Sequence, residues 1–197
     1  MPRPKVHDEA LRVRLLDEAG RLLSTEGPAA LSLRRLATDV GTSTTAVYSL
    51  FGGKSGLVRA LFVEAFSRFG ARLSAVTPSD DPAEYLVRLG GAYRDSALAD
   101  PHLYAVMFGG PVPGFEPEPE DSALSVATMN PLIEAVRAGI ERGTLIDTEP
   151  EEIAIALWAT VHGLVSLELS DSVPDELDVS GQYEATMRAA VRGWLRH

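Results

Sequence analysis

The sequence predicts an all-α chain, and three observations carry that expectation. Apolar residues recur at three- and four-residue spacing over long stretches, as one buried face of a helix requires. The breaks between those stretches carry helix-boundary chemistry: Ser, Asp or Thr as caps, proline in a first turn, glycine past a last turn. No run alternates apolar and polar residues as a half-buried strand does. The 197 residues, 45% of them hydrophobic, are enough to bury a core, and the absence of cysteine excludes disulfides and thiolate metal sites. The start, MPRPKVHDEA, has no apolar segment after its basic residues, so no signal peptide is expected. The apolar run 153–169 is interrupted by His162 and Glu168 and is short for a membrane span. The expectation is a cytoplasmic protein with no membrane association.

Taken in order, residues 1–7 hold Arg3 and Lys5 among two prolines and read as an arm. A first helix is expected over 8–25, with Leu11, Leu15, Ala19, Leu22 and Leu23 on one face, stopped by Gly27-Pro28. Ser32 caps a second helix through its hydroxyl. Gly41 ends that helix by accepting a left-handed backbone, and Ser43 caps a third. Ala37 is small enough for a close crossing, and Leu36, Val40, Val47 and Leu50 close a small core. Thr44, Thr45 and Tyr48 then face outward. This is a helix-turn-helix, the arrangement that places its second helix in the DNA major groove. A fourth helix is expected over 54–76, its inward stripe being Leu57, Leu61, Ala65, Phe66, Phe69 and Leu73. Further helices are expected over 82–99, 101–108, 122–143, 149–170 and 181–196. The division into domains is 1–53, a helix-turn-helix DNA-binding domain, and 54–197, a helical ligand-binding and dimerisation domain.

Charge follows the same division. Over residues 1–60 nine Lys and Arg face six Asp and Glu, a net +3, whereas the remainder has nine against twenty-two, a net −13. A basic segment coincident with the motif is what a nucleic-acid footprint requires. The thirteen residues 109–121 contain four prolines, three glycines and four acids. They read either as a flap over a ligand pocket or as a plain surface loop, and 171–180 as a second loop.

The stretch 11–61 resembles the DNA-binding region of the TetR/AcrR family of bacterial transcription regulators. The residues that carry the resemblance are Ser32-Leu33-Arg34-Arg35-Leu36-Ala37, Gly41, Val47-Tyr48, Phe51 and Lys54. Leu50 departs from the family, which often has a histidine or another polar residue there, and Gly52-Gly53 stand where polar residues are usual. Among the polar positions Ser43, Thr44, Thr45 and Tyr48 are expected at the DNA. The resemblance adds Arg34, and Lys54 as a phosphate contact at the start of the fourth helix. Trp158, His162 and Gly163 resemble the Trp-His-Gly signature of one C-terminal subgroup of the family.

The resemblance implies a homodimeric repressor on a palindromic double-stranded operator, released by an unidentified small-molecule effector. A ligand pocket would draw on Phe66, Phe69, Tyr93, Tyr104, Phe108, Trp158 and His162, with His102, Met107 and Met129 nearby. Each of these is also an ordinary core residue at helical spacing, and His162 also reads as a pH-sensitive interface residue. Tyr183, Met187, Val191 and Trp194 form a stripe on the last helix. That stripe is either monomer core or, with Trp158 and Val165, half of a two-fold four-helix interface.

Two other function classes stay open: a DNA-binding regulator answering to a protein partner, and an α-helical enzyme whose first helices mimic the motif. Gly53-Lys54-Ser55 matches the end of a nucleotide-binding P-loop, but Tyr48 occupies the place of its first glycine. His7, His102, His162 and His197 lack metal-ligand spacing, and G-x-S-x-G is absent. No cofactor, metal or catalytic residue is expected.

Overall fold

The computed structural model describes residues 5–110, 112, 115–170, 173–174 and 176–196, with the backbone alone for residues 5–8. Ten helices lie among them: α1 (Lys5–Glu26), α2 (Leu33–Val40), α3 (Thr44–Phe51), α4 (Lys54–Ser74), α5 (Pro82–Ala99), α6 (Pro101–Phe108), α7 (Pro119–Ala127), α8 (Asn130–Glu141), α9 (Pro150–Glu168) and α10 (Val179–Arg192). The all-α expectation holds. Among the described residues the sole β-type pairing is a single bridge between Leu145 and Leu195. None of the helices is long and apolar enough to cross a membrane.

Four boundaries differ from expectation by more than two residues, one of them that of the last helix, which ends at Arg192 and not at 196. Part of the proposed N-terminal arm, residues 1–4, lies outside the described residues, and α1 already runs from Lys5. The helix expected over 122–143 is two helices. Pro131 has no N–H to return to a carbonyl one turn back. Residues 128–129 turn instead, with Met129 N donating to Val126 O at 3.0 Å. Finally, α7 starts inside the proline-rich segment, with Pro119 leading and Glu120 and Asp121 in its first turn, where the helix dipole favours carboxylates.

The chain forms two compact units. The first comprises the residues up to Arg68 together with Asp100–Ser125. Its core joins Leu15, Leu16, Ala19 and Leu22 of α1 to Leu36 of α2, Val47 of α3, Leu57 and Leu61 of α4, and Leu103 of α6. Helix α6 packs along α1, so compactness assigns it with the helix-turn-helix, a division distinct from the expected boundary at residue 53. Arg68 ties three parts of this unit, meeting Glu64 at 2.7 Å, Asp17 at 3.3 Å and Asp100 at 3.8 Å.

The second unit comprises Phe69–Ala99 and the residues from Val126 onward. Helices α5, α8, α9 and α10 pack on one another around Leu86, Val136, Leu145, Ile153, Leu157 and Val191. At the α5–α10 crossing a Cβ on Gly90 would lie 2.9 Å from Met187 Cε. Tyr183 of α10 donates its hydroxyl to Gly90 O at 2.7 Å, satisfying a buried polar group at the same crossing.

Candidate nucleic-acid interface

Ser32, in extended conformation, accepts from Arg35 N at 3.2 Å and starts α2. Gly41 closes it with φ 73° and ψ 42°. Gly41 N donates to Thr38 O at 3.1 Å and Thr42 N to Ala37 O at 2.8 Å, so the turn consumes carbonyls that would otherwise be orphaned. Ser43 then accepts from Ala46 N at 3.1 Å and starts α3. The motif thus folds from bonds local in sequence, which is why its boundaries could be read directly.

Val47 and Phe51 turn α3 into the core. Thr45 is exposed, Thr44 half-buried, and Tyr48 is 54% exposed on the same outer side. Ser43 is exposed, with its hydroxyl oxygen engaged in the cap. Leu50 is half-buried and packs against the core; this departure from the family thickens the interior of the motif.

Arg34 and Arg35 are separated by the structure. Arg35 makes a two-pronged pair with Glu26, 2.7 Å to each oxygen, and approaches Asp39 at 3.5 Å. Hydrogen bonding to Arg35 holds the Glu26 carboxyl below its ordinary range. Arg34 is exposed and, among the described residues, makes no ion pair.

The corner between α3 and α4 explains Gly52 and Gly53. Their φ angles are +73° and +145°, both favouring glycine. A third glycine, Gly56, was not singled out by sequence reasoning. A Cβ there would lie 1.9 Å from Phe51 O. Its signal was the spacing Gly-Gly-Lys-Ser-Gly at a helix start. The corner presents Lys54 exposed, its Nζ donating to Pro28 O at 3.3 Å. The first N–H groups of α4 have no acceptor within their own helix and favour an anion beside them.

The seven residues proposed for a ligand fall into two groups. In the first unit Phe66 stacks with Phe62 and Phe108 at centroid distances of 4.7 and 6.3 Å, and Tyr104 meets Phe108 at 4.9 Å. Phe115, from the proline-rich segment, extends the row to Phe62 at 5.6 Å. That segment is latched by Arg59, whose Nε donates to Asp121 at 2.9 Å, with Glu118 at 2.9 Å from the same guanidinium. Its residues 111, 113 and 114 lie outside the described residues.

In the second unit Phe69 and Tyr93 meet edge-to-face at 5.0 Å. The Tyr93 hydroxyl and His162 Nδ1 are hydrogen-bonded at 3.0 Å, and Trp158 lies 5.9 Å from the imidazole. Burial lowers the pKa of His162 from its ordinary 6.5.

Of the residues proposed for a dimer interface, Val165, Tyr183, Met187 and Val191 are buried within their own unit. Trp158 and Trp194 are half-buried.

A family model described as "Bacterial regulatory proteins, tetR family" matches residues 15–61. One described as "Tetracyclin repressor-like, C-terminal domain" matches residues 86–190, more than half of the chain. The chain belongs to the TetR family of DNA-binding transcriptional regulators. The HTH-type transcriptional regulator Rv1816 of Mycobacterium tuberculosis is 26% identical over 91% of this chain and 85% of its own length. Among solved structures, a Rhodococcus protein of unknown function superposes with a TM-score of 0.76 at 28% identity, covering 94% of this chain and 96% of that one. The TetR family transcriptional regulator PfmR from Thermus thermophilus has a TM-score of 0.76 at 23% identity over 93% and 100% of the two chains, a likeness of fold. The matching families and these named relatives are regulators, which removes the reading of an enzyme that mimics the motif.

Proposed function

We propose that this chain is a homodimeric repressor that binds a palindromic operator through α3 and is released by a small molecule held in its C-terminal helices. The observation that carries the reading is the joint presentation of Thr44, Thr45 and Tyr48 on one side of α3 with Lys54 at the start of α4. Thr44 and Thr45 occupy the first turn, from which a recognition helix reaches base edges, and their methyl groups suit thymine. Tyr48 is one turn on, within reach of a base or a phosphate. Lys54, the first N–H groups of α4 and Arg34 supply the charge that phosphates demand.

For the dimer, burial of Tyr183, Met187 and Val191 inside one protomer leaves the opposite faces to meet a partner. On α9 these are Ile155, Ala159, Gly163 and Leu167, at four-residue spacing; on α10 they are Ala185 and Ala189. Ile155 is 58% and Leu167 49% exposed. A Cβ on Gly163 would meet nothing within 4 Å, so the glycine leaves space for close approach. Trp158 and Trp194 sit at the margins. Trp158, His162 and Gly163 also support assignment to the Trp-His-Gly subgroup. The effector site centres on Tyr93 and His162, a polar pair within the aromatic surroundings of Phe69 and Trp158. Phe66, Tyr104 and Phe108 form a separate apolar row within the first unit.

The testing experiment is selection of bound fragments from the source genome by the purified protein at moderate salt. The expected result is a short palindrome with half-sites about one helical turn apart. Recovery of unrelated fragments, bound weakly and lost as salt rises, overturns sequence-specific regulation.

A further inference from the structure

We propose that Arg14 and Arg35 are positioning residues for DNA reading: they fix both ends of α2 to α1, and neither is a phosphate ligand. At the N-terminal end, Arg35 forks onto Glu26, the last residue of α1, with both N–O distances 2.7 Å. Each partner alone is misplaced. A cation in the first turn of α2 and a carboxylate in the last turn of α1 both oppose their helix dipoles. Facing one another, they turn those two costs into one charge-assisted, two-pronged contact. Glu26 is itself flanked by Arg21 at 4.0 Å, and Arg21 by Glu18 at 2.6 Å. With Asp39 on the far side of Arg35, the signs alternate without interruption from α1 across to α2. The anion that a basic first turn calls for is thereby supplied, for Arg35, from within the fold.

At the other end, Arg14 of α1 donates through Nη2 to Val40 O at 2.5 Å. Val40 is the last residue of α2 and precedes the Gly41 turn. Its carbonyl is one of the four that a helix leaves without an internal donor, where a cation is favoured.

The consequence falls on α3. The turn from α2 to α3 is closed by bonds from Gly41 and Thr42 back into α2, so a tilt of α2 is handed on to Thr44, Thr45 and Tyr48. Eight residues of helix span about 12 Å, and a ten-degree tilt about one end moves the other by about 2 Å. Base-edge hydrogen bonds hold only over a few tenths of an ångström.

The inference rests on the DNA-binding reading, and the test separates the two. Operator affinity of the full chain is measured by fluorescence anisotropy across a salt series, using the selected palindrome. Variants are Arg14→Gln, Arg14→Lys, Arg35→Gln, the charge exchange Glu26→Arg with Arg35→Glu, and Lys54→Gln. The expected result is an affinity loss of about tenfold for Arg14→Gln and Arg35→Gln with an unchanged slope of log affinity on log salt. Lys54→Gln lowers that slope by about one. Arg14→Lys recovers most of the affinity, and the exchange recovers part of it, because it restores the two-pronged pair but sets like charges together at Arg21 and Asp39; a phosphate ligand turned acidic could recover none. A slope reduced by about one in Arg35→Gln or Arg14→Gln, or no recovery on exchange, overturns the positioning role. Should Arg35→Gln unfold, the exchange variant, which keeps the pair, still decides it. Loss of specific binding by the unmodified chain instead overturns the DNA-binding reading itself.

Discussion

A Cβ at position 56 would lie 1.9 Å from the Phe51 carbonyl oxygen, closer than any backbone tolerates, so the α3–α4 corner opens in Gly56→Ala. The loss expected is on the order of 1 to 3 kcal/mol of stability, as for other overpacked sites, with operator affinity at least tenfold lower because Lys54 moves with the corner. Urea melts and operator titrations measure both, and an unchanged affinity would mean that the corner does not position the DNA face. His162 offers a second single-residue test, through pH. Burial lowers its folded pKa below 6.5, so the unfolded chain takes up the proton first as pH falls. Its contribution is therefore fully present above the unfolded value and is lost as pH falls through 6.5 towards the lower folded value. The carboxylates held down by arginines, Glu18, Glu26, Glu84 and Glu168, titrate from 4.5 downwards, outside this window. Melting temperature is expected to fall between about pH 7 and pH 5, and less so in His162→Gln. Equal pH dependence of the two proteins would refute the assignment to His162.

Elements built from neighbouring residues were legible in the sequence, and those built from distant ones were not. The helix-turn-helix is set by Ser32, Gly41 and Ser43, each bonding within three or four residues, so composition and spacing revealed it. The break at Pro131 was written in the sequence too, but a long apolar pattern on both sides masked it. The outward face of α3 followed from periodicity. The engagement of Arg35 by Glu26 did not, because a pair between separate helices leaves no periodic trace. The segment 109–121 was the least legible. The placement of its described residues 115–121 depends on Asp121, 3% exposed, bonding Arg59 sixty-two residues away, and on Phe115 finding Phe62. Asp121→Ala is accordingly expected to lower stability by on the order of 1 kcal/mol, the net worth of the contacts it loses, because the Arg59 left behind is partly exposed and keeps Glu118. Protease cleavage within 115–118 should become faster than in the unmodified chain, and equal cleavage would dismiss the latch. On α3, Tyr48→Ala should weaken binding unequally among operator variants if it reads a base. Lys54→Ala should weaken all of them alike.

At the scale of the whole molecule, a net +3 over residues 1–60 is set against −13 over the rest. A single copy therefore brings a small basic surface and a large acidic remainder to a polyanion, and two copies linked by a protein interface gain what one lacks. In the proposed dimer, once one half-site is bound, the second would be met at a local concentration fixed by the interface, with no new contact needed. The proposed interface makes this testable without touching the DNA face. Ala189 of α10 and Ile155 of α9 are exposed, so Ala189→Glu with Ile155→Glu disturbs little inside the protomer. It does place charge where two apolar faces must meet. The expected outcome is a monomer by sedimentation with a nearly unchanged melting curve, and a palindrome affinity lower by about a hundredfold, within the range that such linkage supplies. Affinity for an isolated half-site should stay the same in both proteins. A double variant that sediments as a dimer would move the interface off α9 and α10. One that is monomeric yet binds the palindrome as tightly as before would show that each copy reads its half-site unaided.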